Sequence, residues 1–483
     1  MAQQGQKLPV VEKVGYAMGD TSANLIFQTM VILQLAFYTD TFGITAAAAG
    51  TMLLVVRFWD AIFDPIMGVV ADKTNTRWGK FRPWILWTAL PFGIMGFLAF
   101  STPHLGPTGK LTYAFVTYII LMMVYSANNL PYSALSGVMT GDLAERTSLS
   151  QYRFVFAMIG QLIVQALALP MVLHFGQGNS ALGYKWTMGI FGAIAVVLFL
   201  FAFSVTKERI QPPKEQKATV AQHFADLKSN GPWLAMFILT LVLFITLAMR
   251  GGDVVYYFRY FADPSAIVKT LSWVPGWLKN VLGGTDAPTL GFSVFNLLGT
   301  LSTITGIFFS KALATRFGKR NVFIFGLFGT AIFCMPFMVL PSTAVGLMIG
   351  SEMLRQFIYG FTIPLLWAMM ADVADFSEWK NHRRATAIVF AAIVFALKAG
   401  LGFGGAITGW LLSVYDYVPN MAQGPRALNG IRLIMSLYPA ITFALCAVIL
   451  FFYRINKQAE IQITDDLGAR RLAAAGVELQ TAP

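Results

Sequence analysis

The chain has 483 residues, of which 56% are hydrophobic and only 12% charged, and its mean hydropathy is +0.63. Those values exclude a disordered chain, a collagen and a disulfide-stapled secreted domain, and a soluble globule could not hide so much apolar surface from water. The formal net charge of +12 accompanies no nucleic-acid-binding signature and fits the basic cytoplasmic loops of a membrane protein.

Apolar stretches follow in chain order near residues 14–40, 48–71, 83–102, 111–140, 151–175 and 186–206. A transmembrane helix needs roughly 20 mostly apolar residues, so there is room for about a dozen spans. The polar N-terminal segment has no cleavable signal pattern, which leaves the first span as its own targeting signal. The polar segment KERIQPPKEQKATVAQHFADLKSNG interrupts the pattern over 207–231. Six more stretches come near 232–262, 290–315, 321–341, 343–373, 385–414 and 429–453. With the N-terminus placed inside, the inside segments carry roughly four times as many Lys and Arg as the outside ones, which predicts that both termini are cytoplasmic. The outside segment 263–289 contains SWVPGWLKNVLGG. It reads as one short amphipathic helix at the membrane surface, anchored by Trp273 and Trp277, with a lid over the outer vestibule as the alternative. Cys334 and Cys446 lie in apolar runs without metal-ligand spacing and read as buried packing residues.

The two sets of six stretches echo one another. Arg77-Trp-Gly-Lys-Phe-Arg82, between stretches 2 and 3, is matched by Arg316-Phe-Gly-Lys-Arg-Asn321, between stretches 8 and 9. Pro131, Asp142 and Glu145 find the same residue types at Pro364, Asp375 and Glu378. Duplicated parallel halves joined by a cytoplasmic linker describe the major facilitator architecture. The expected fold is an all-α integral membrane protein of twelve transmembrane helices. Its parts are a half at 1–206, a linker at 207–231, a half at 232–456 and a cytoplasmic tail at 457–483.

Ionisable groups inside a span are expensive and point to function. In the second span, Asp60 and Asp64 are four apart and share a helix face, with Arg57 one turn before Asp60. Two inward carboxylates suit a cation or a shared proton; the alternatives are a pair with Arg57, or a cap at the Pro65 kink. Lys398 sits mid-span in the eleventh stretch, too deep to snorkel easily. Asp20 and Asn24 in the first span, and Asn128 and Asn129 in the fourth, either bind neighbouring helices or meet sugar hydroxyls. Arg250, near Asp253, reads as an interface salt bridge or as a receptor for a substrate carboxylate. Glu352 and Arg355 are expected to pair with each other or a neighbour. Trp59, Tyr132 and Trp367 are candidates for stacking on sugar faces. On the cytoplasmic side, Asp142, Glu145 and Arg146, with Asp375, Glu378 and Arg384, place opposite charges where a gate between the halves would close. P-loop, GxSxG, HExxH and dinucleotide fingerprints are missing, which points away from an enzyme and from ATP and toward ion coupling.

The motifs YTD (38–40), RFWDAIFDPIMG (57–68), RWGKFRPW (77–84), NLPYSAL (129–135) and ADVADFSEWKNHRRAT (371–386), taken in order, resemble the glycoside–pentoside–hexuronide:cation symporter family. The resemblance covers nearly the whole chain. It implies a cation site on helices 2 and 4 and a sugar site among helices 1, 4, 5 and 11. Matched by motif, Asp60 and Asp64 take the places of the family's two helix 2 cation carboxylates. Lys398 matches its helix 11 lysine near both sites, and Arg153 its helix 5 sugar-site arginine. The chain also departs from the family's type member. Asn24 and Asn129 stand where that member has a sugar-binding and a cation-binding aspartate. Ser133 replaces a stacking tryptophan, and Phe63 replaces an asparagine.

The expectation is a secondary active symporter that moves a glycoside, oligosaccharide or hexuronide inward with a cation by alternating access. The less negative cavity favours a proton at Asp60 over sodium, although Asp60 and Asp64 still offer a possible sodium site. Substrate contacts are assigned to Asp20, Asn24, Asn128, Asn129, Arg153, Lys398 and Arg250. Coupling is assigned to Asp60, Asp64, Lys398 and Asn129. No cofactor or nucleic-acid partner is expected, and the working unit is a monomer in the lipid bilayer of a bacterial cytoplasmic (inner) membrane. A carrier of lysolipids and a transport-inactive sugar sensor are the rival readings.

Overall fold

The computed structural model describes residues 7–140, 142–209, 230–381 and 386–474, and among them every regular element is helical. The helices that answer the predicted stretches begin with α1 Val10–Phe42, α2 Ala46–Lys73, α3 Arg82–Ala99, α4 Pro107–Met139, α5 Leu143–Gly176 and α6 Ser180–Val205. They continue with α7 Gly231–Phe261, α8 Ala287–Phe317, α9 Lys319–Val339, α10 Val345–Lys380, α11 Thr386–Val414 and α12 Pro425–Phe452. Ten of the described helices are long and apolar enough to cross a membrane. The other two are α2, which carries Arg57, Asp60 and Asp64, and α3, which has 18 residues and opens on Arg82.

Two features shape the helix ends. Both α1 and α7 finish in a π-helical turn, Phe37–Phe42 and Tyr257–Phe261, where the backbone widens locally. Beyond α7, the chain forms two short helices, Pro264–Thr270 and Gly276–Leu282, instead of the single one expected. Pro275 has no N–H to continue the first helix, so it separates them. Trp273 and Trp277 point outward while Ile267, Leu271 and Leu282 are buried, so the amphipathic character survives the break.

The chain packs as two compact units. The first comprises Met1–Glu215, Ala248–Leu297 and Gly402–Ile431; the second comprises Gln216–Leu247, Leu298–Leu401 and Arg432–Pro483. The sequence halves describe duplication, whereas these units describe packing, and their borders cut through α7, α8, α11 and α12. In the first unit, α1 lies against α5 and α6, and α2 against α4. The late part of α11 crosses α2 at glycines: a Cβ on Gly50 would stand 2.8 Å from the Ala406 carbonyl oxygen. Small residues let helix backbones approach this closely in lipid. In the second unit the core gathers Leu239, Phe323, Met369 and Phe443 with the buried cysteines Cys334 and Cys446.

The echoed loops are also echoed in structure. Gly79 and Gly318 both adopt positive φ, +110° and +85°. The lysine after each holds an aspartate: Lys80 with Asp72 at 2.9 Å in the first unit, and Lys319 with Asp372 at 2.7 Å in the second. Glu208, just past α6, accepts the backbone N–H groups of Lys80, Phe81 and Arg82 at 2.7–2.9 Å. Those donors would otherwise be orphans at the start of α3.

Candidate transport site

The helix α2 is amphipathic in the sense lipid demands. Val55, Trp59, Ile62, Ile66 and Val69 form an exposed stripe at helical spacing, while Arg57 and Asp60 are buried on the opposite side. Trp59 therefore sits on the apolar outer face. Asp60 is fully buried, and its Oδ1 accepts a 2.6 Å hydrogen bond from Ser126 of α4. The Arg57 guanidinium lies 5.3 Å from the centre of the Phe27 ring. Tyr118 and Tyr125 of α4 stand within electrostatic reach of both Arg57 and Asp60. Asp64, one turn on, is half-buried.

A second cluster joins α1, α4 and α5. Arg153 holds Asp20 with two nitrogens, Nε to Oδ2 at 2.7 Å and Nη2 to Oδ1 at 3.2 Å. Tyr132 donates to Asp20 Oδ2 at 2.8 Å, and Tyr16 donates to the Tyr132 carbonyl at 2.9 Å. The two tyrosine rings stack at 4.7 Å, and the guanidinium lies over both, 5.6 and 5.0 Å from their centres. Ser133 Oγ stands 3.5 Å from Arg153 Nη2. Both tyrosine rings are fully buried, so they brace the arginine instead of offering a stacking face, and the partly exposed guanidinium is the edge left for a hydroxyl-rich ligand.

The remaining predicted residues are distributed more widely. The Asn24 amide donates to the Asp20 carbonyl at 2.8 Å and accepts from Gln28 at 3.2 Å. Asn128 is buried and donates to Thr88 of α3 at 2.7 Å, tying two helices together. Asn129 is half-buried beside it. Arg250 and Asp253 are both buried on α7. Lys398 is half-buried in the second unit. Glu352 and Arg355, also there, form the expected pair, at 2.6 and 2.9 Å.

Among the predicted gate residues, Glu145 accepts from Lys13 and from the Leu8 N–H, both at 2.9 Å. The Asp142 carboxylate accepts the Glu145 N–H at 3.1 Å, capping α5. Arg146 donates to the Thr140 and Gly137 carbonyls at the end of α4. Asp375 and Glu378 are half-buried on α10 in the second unit, and Arg384 lies outside the described residues.

Sequence reasoning missed a third cluster, at the predicted outer ends of α1, α7 and α11. The Asp40 side chain is only 3% exposed, and its Oδ2 accepts from Arg259 Nη1 at 2.8 Å and Tyr260 at 2.9 Å. Its Oδ1 accepts from Tyr417 at 2.5 Å and Thr39 at 2.8 Å. Asn420 donates to the Asp40 carbonyl at 2.6 Å and accepts from Arg259 Nη2 at 2.8 Å. Tyr256 meets Thr39 at 2.8 Å. The YTD motif was the available signal, but nothing local in it names partners more than 200 residues away.

Buried charges on otherwise apolar helices are what a membrane transporter carries. The family described as MFS/sugar transport protein matches residues 15–283 and 279–457. The inner membrane symporter YicJ of Escherichia coli is 35% identical over 92% of either chain. The isoprimeverose transporter of Lactiplantibacillus pentosus is 34% identical over 93% of this chain and 90% of its own. The glucuronide carrier protein homolog of Escherichia coli is 30% identical over 95% of each. Two solved structures share the fold. The nucleoside transporter NupG has a TM-score of 0.59 at 15% identity, covering 91% of this chain and 99% of its own. A D-xylose-proton symporter has a TM-score of 0.59 at 15% identity, covering 92% and 96%. The chain belongs to the MFS/sugar transport protein family, in its glycoside–pentoside–hexuronide symporter group. It is a multi-pass inner membrane sugar symporter and not an enzyme.

Proposed function

We propose that the transported solute is a glycoside, short oligosaccharide or hexuronide and that the coupling ion is a proton carried by Asp60. The observation that supports this most is the environment of Asp60: no exposure to solvent and a short hydrogen bond from a neutral hydroxyl, Ser126. A carboxyl there exchanges a proton with little rearrangement, whereas a metal ion needs several oxygen ligands. Arg153, braced by the buried Tyr16, Tyr132 and Asp20, forms the sugar-facing platform, and Asn24 and Asn129 keep its surroundings less negative. Loading of sugar and proton lets the carrier reorient around a fixed site. The Asp40 cluster holds the outer ends of α1, α7 and α11 together in one of the two alternating states.

The test uses lightly buffered, energy-starved vesicles. Glycosides and uronides are added with and without sodium, and external pH is followed. Substrate-driven alkalinisation that disappears in Asp60→Asn is the expected result. Sodium-stimulated uptake without alkalinisation would refute proton coupling.

A further inference from the structure

Asp253 lies on α7, one turn after Arg250 and one turn before Tyr256, and is fully buried. Neither of its carboxylate oxygens has a hydrogen-bond partner among the described residues. A charged carboxylate left without donors in a low-dielectric interior is costly, and hydrogen bonds or a proton are the usual remedies. Arg250 is the charged neighbour acting on it, yet it donates no hydrogen bond to either oxygen. Tyr256 is the titratable neighbour that links Asp253 to other elements. It meets Thr39 of α1 at 2.8 Å, lies within electrostatic reach of Asp40 and Tyr260, and sets its ring edge-on to Tyr417 at 5.2 Å. Asp253 is thus a single turn away from the cluster that holds the outer ends together.

We propose that Asp253 is a second proton-binding site, separate from Asp60, and that its protonation favours the latched arrangement around Asp40. In the latched arrangement water is excluded from the α7 carboxyl, which keeps its proton. When Asp40 releases Arg259, Tyr260 and Tyr417, the outer end of α7 becomes wet and the carboxyl ionises. Linkage makes the relation reciprocal: raising the pH outside removes the proton and shifts the population toward the unlatched state. The inference rests on the transporter reading for its physiological meaning, but not on which sugar or ion is carried.

The experiment therefore uses no substrate and no ion gradient. Spin labels are placed at Thr45→Cys and Met421→Cys, both exposed and flanking the cluster. The native Cys334 and Cys446 are buried. The distance distribution is measured by pulsed electron resonance across a pH series in nanodiscs. The labelled parent should move from a short to a long distance as pH rises. Asp253→Asn should stay short at every pH, because the amide mimics the protonated acid, and Asp253→Glu should keep the response with a shifted midpoint. A pH response that survives in Asp253→Asn would place the titration on Asp40 or another group and overturn the proposal, as would a parent that shows no response. Failure of the Asp60 vesicle test alone would leave this result standing.

Discussion

Arg153 grips Asp20 with a planar fork while two stacked tyrosines cover it, and that geometry makes the arginine hard to replace. A lysine keeps the charge but offers a single point contact and no planar face. We expect Arg153→Lys to reduce sugar uptake by roughly tenfold or more at unchanged expression, since charge-assisted bidentate bonds are the strong ones. Initial-rate uptake normalised to surface protein checks this, and uptake close to that of the parent would remove Arg153 from the platform. Ser126→Ala strips Asp60 of its hydroxyl donor, so it should lower stability by about 1–3 kcal/mol, read from thermal unfolding in detergent. The sequence exposed some of these residues and hid others. Asp20 and Asn24 stood out because polar groups in apolar stretches are rare, whereas Arg153 was reached only through its motif match to the family. Tyr16 did not, because a tyrosine near a helix start reads as an interface anchor until its ring is seen against Tyr132. The Asn128 amide looked equally suited to sugar or helix, and only its bond to Thr88 shows how it is spent here.

At the scale of the element, hydrophobic runs located the helices, with ends off by up to 8 residues, as at Leu143, because a bilayer demands length and apolarity together. The π turns at the ends of α1 and α7 left no trace in that pattern. They arise where aromatic side chains pack tertiary neighbours, as Phe37 does with Phe100 and Tyr184. Loop glycines were more legible: the echo of Gly79 in Gly318 marked a turn that was copied. At Gly79 any Cβ would fall 2.6 Å from the Glu208 carboxylate oxygens, in a left-handed backbone region that also disfavours side chains. Gly79→Ala should therefore destabilise the protein by about 2 kcal/mol, from the left-handed penalty together with a strained cap on α3. Gly178 also has positive φ, +93°, but nothing stands within 4 Å of its Cβ position, so Gly178→Ala should cost only the backbone part. Equal shifts in melting temperature for the two variants would show that Glu208 contributes nothing.

For the whole molecule, the sequence placed a gate among cytoplasmic charges, whereas the densest network of charge and hydroxyl groups found in the first unit is the one at Asp40. Its partners come from positions 219 to 380 residues further on, a separation no motif search bridges without knowing which helix ends adjoin. Exchanging the charges offers a direct test. Asp40→Arg and Arg259→Asp alone should each abolish most uptake, and the double exchange should restore part of it. Losses that merely add would show that the two residues do not act as a pair. The same pair bears on how such a chain could have arisen. Asp40 and Arg259 occupy matching places, each two residues before the end of the π turn that closes its helix. In an ancestor made of two identical subunits related by a twofold axis, whatever residue stood there would face its own copy, acid against acid or base against base. Opposite charges at matching places can be inherited only once the two copies are encoded separately and mutate independently. The Asp40–Arg259 bond is thus a contact that duplication made possible, and a chain split into two co-expressed pieces would still carry that asymmetry as a code for which piece joins which.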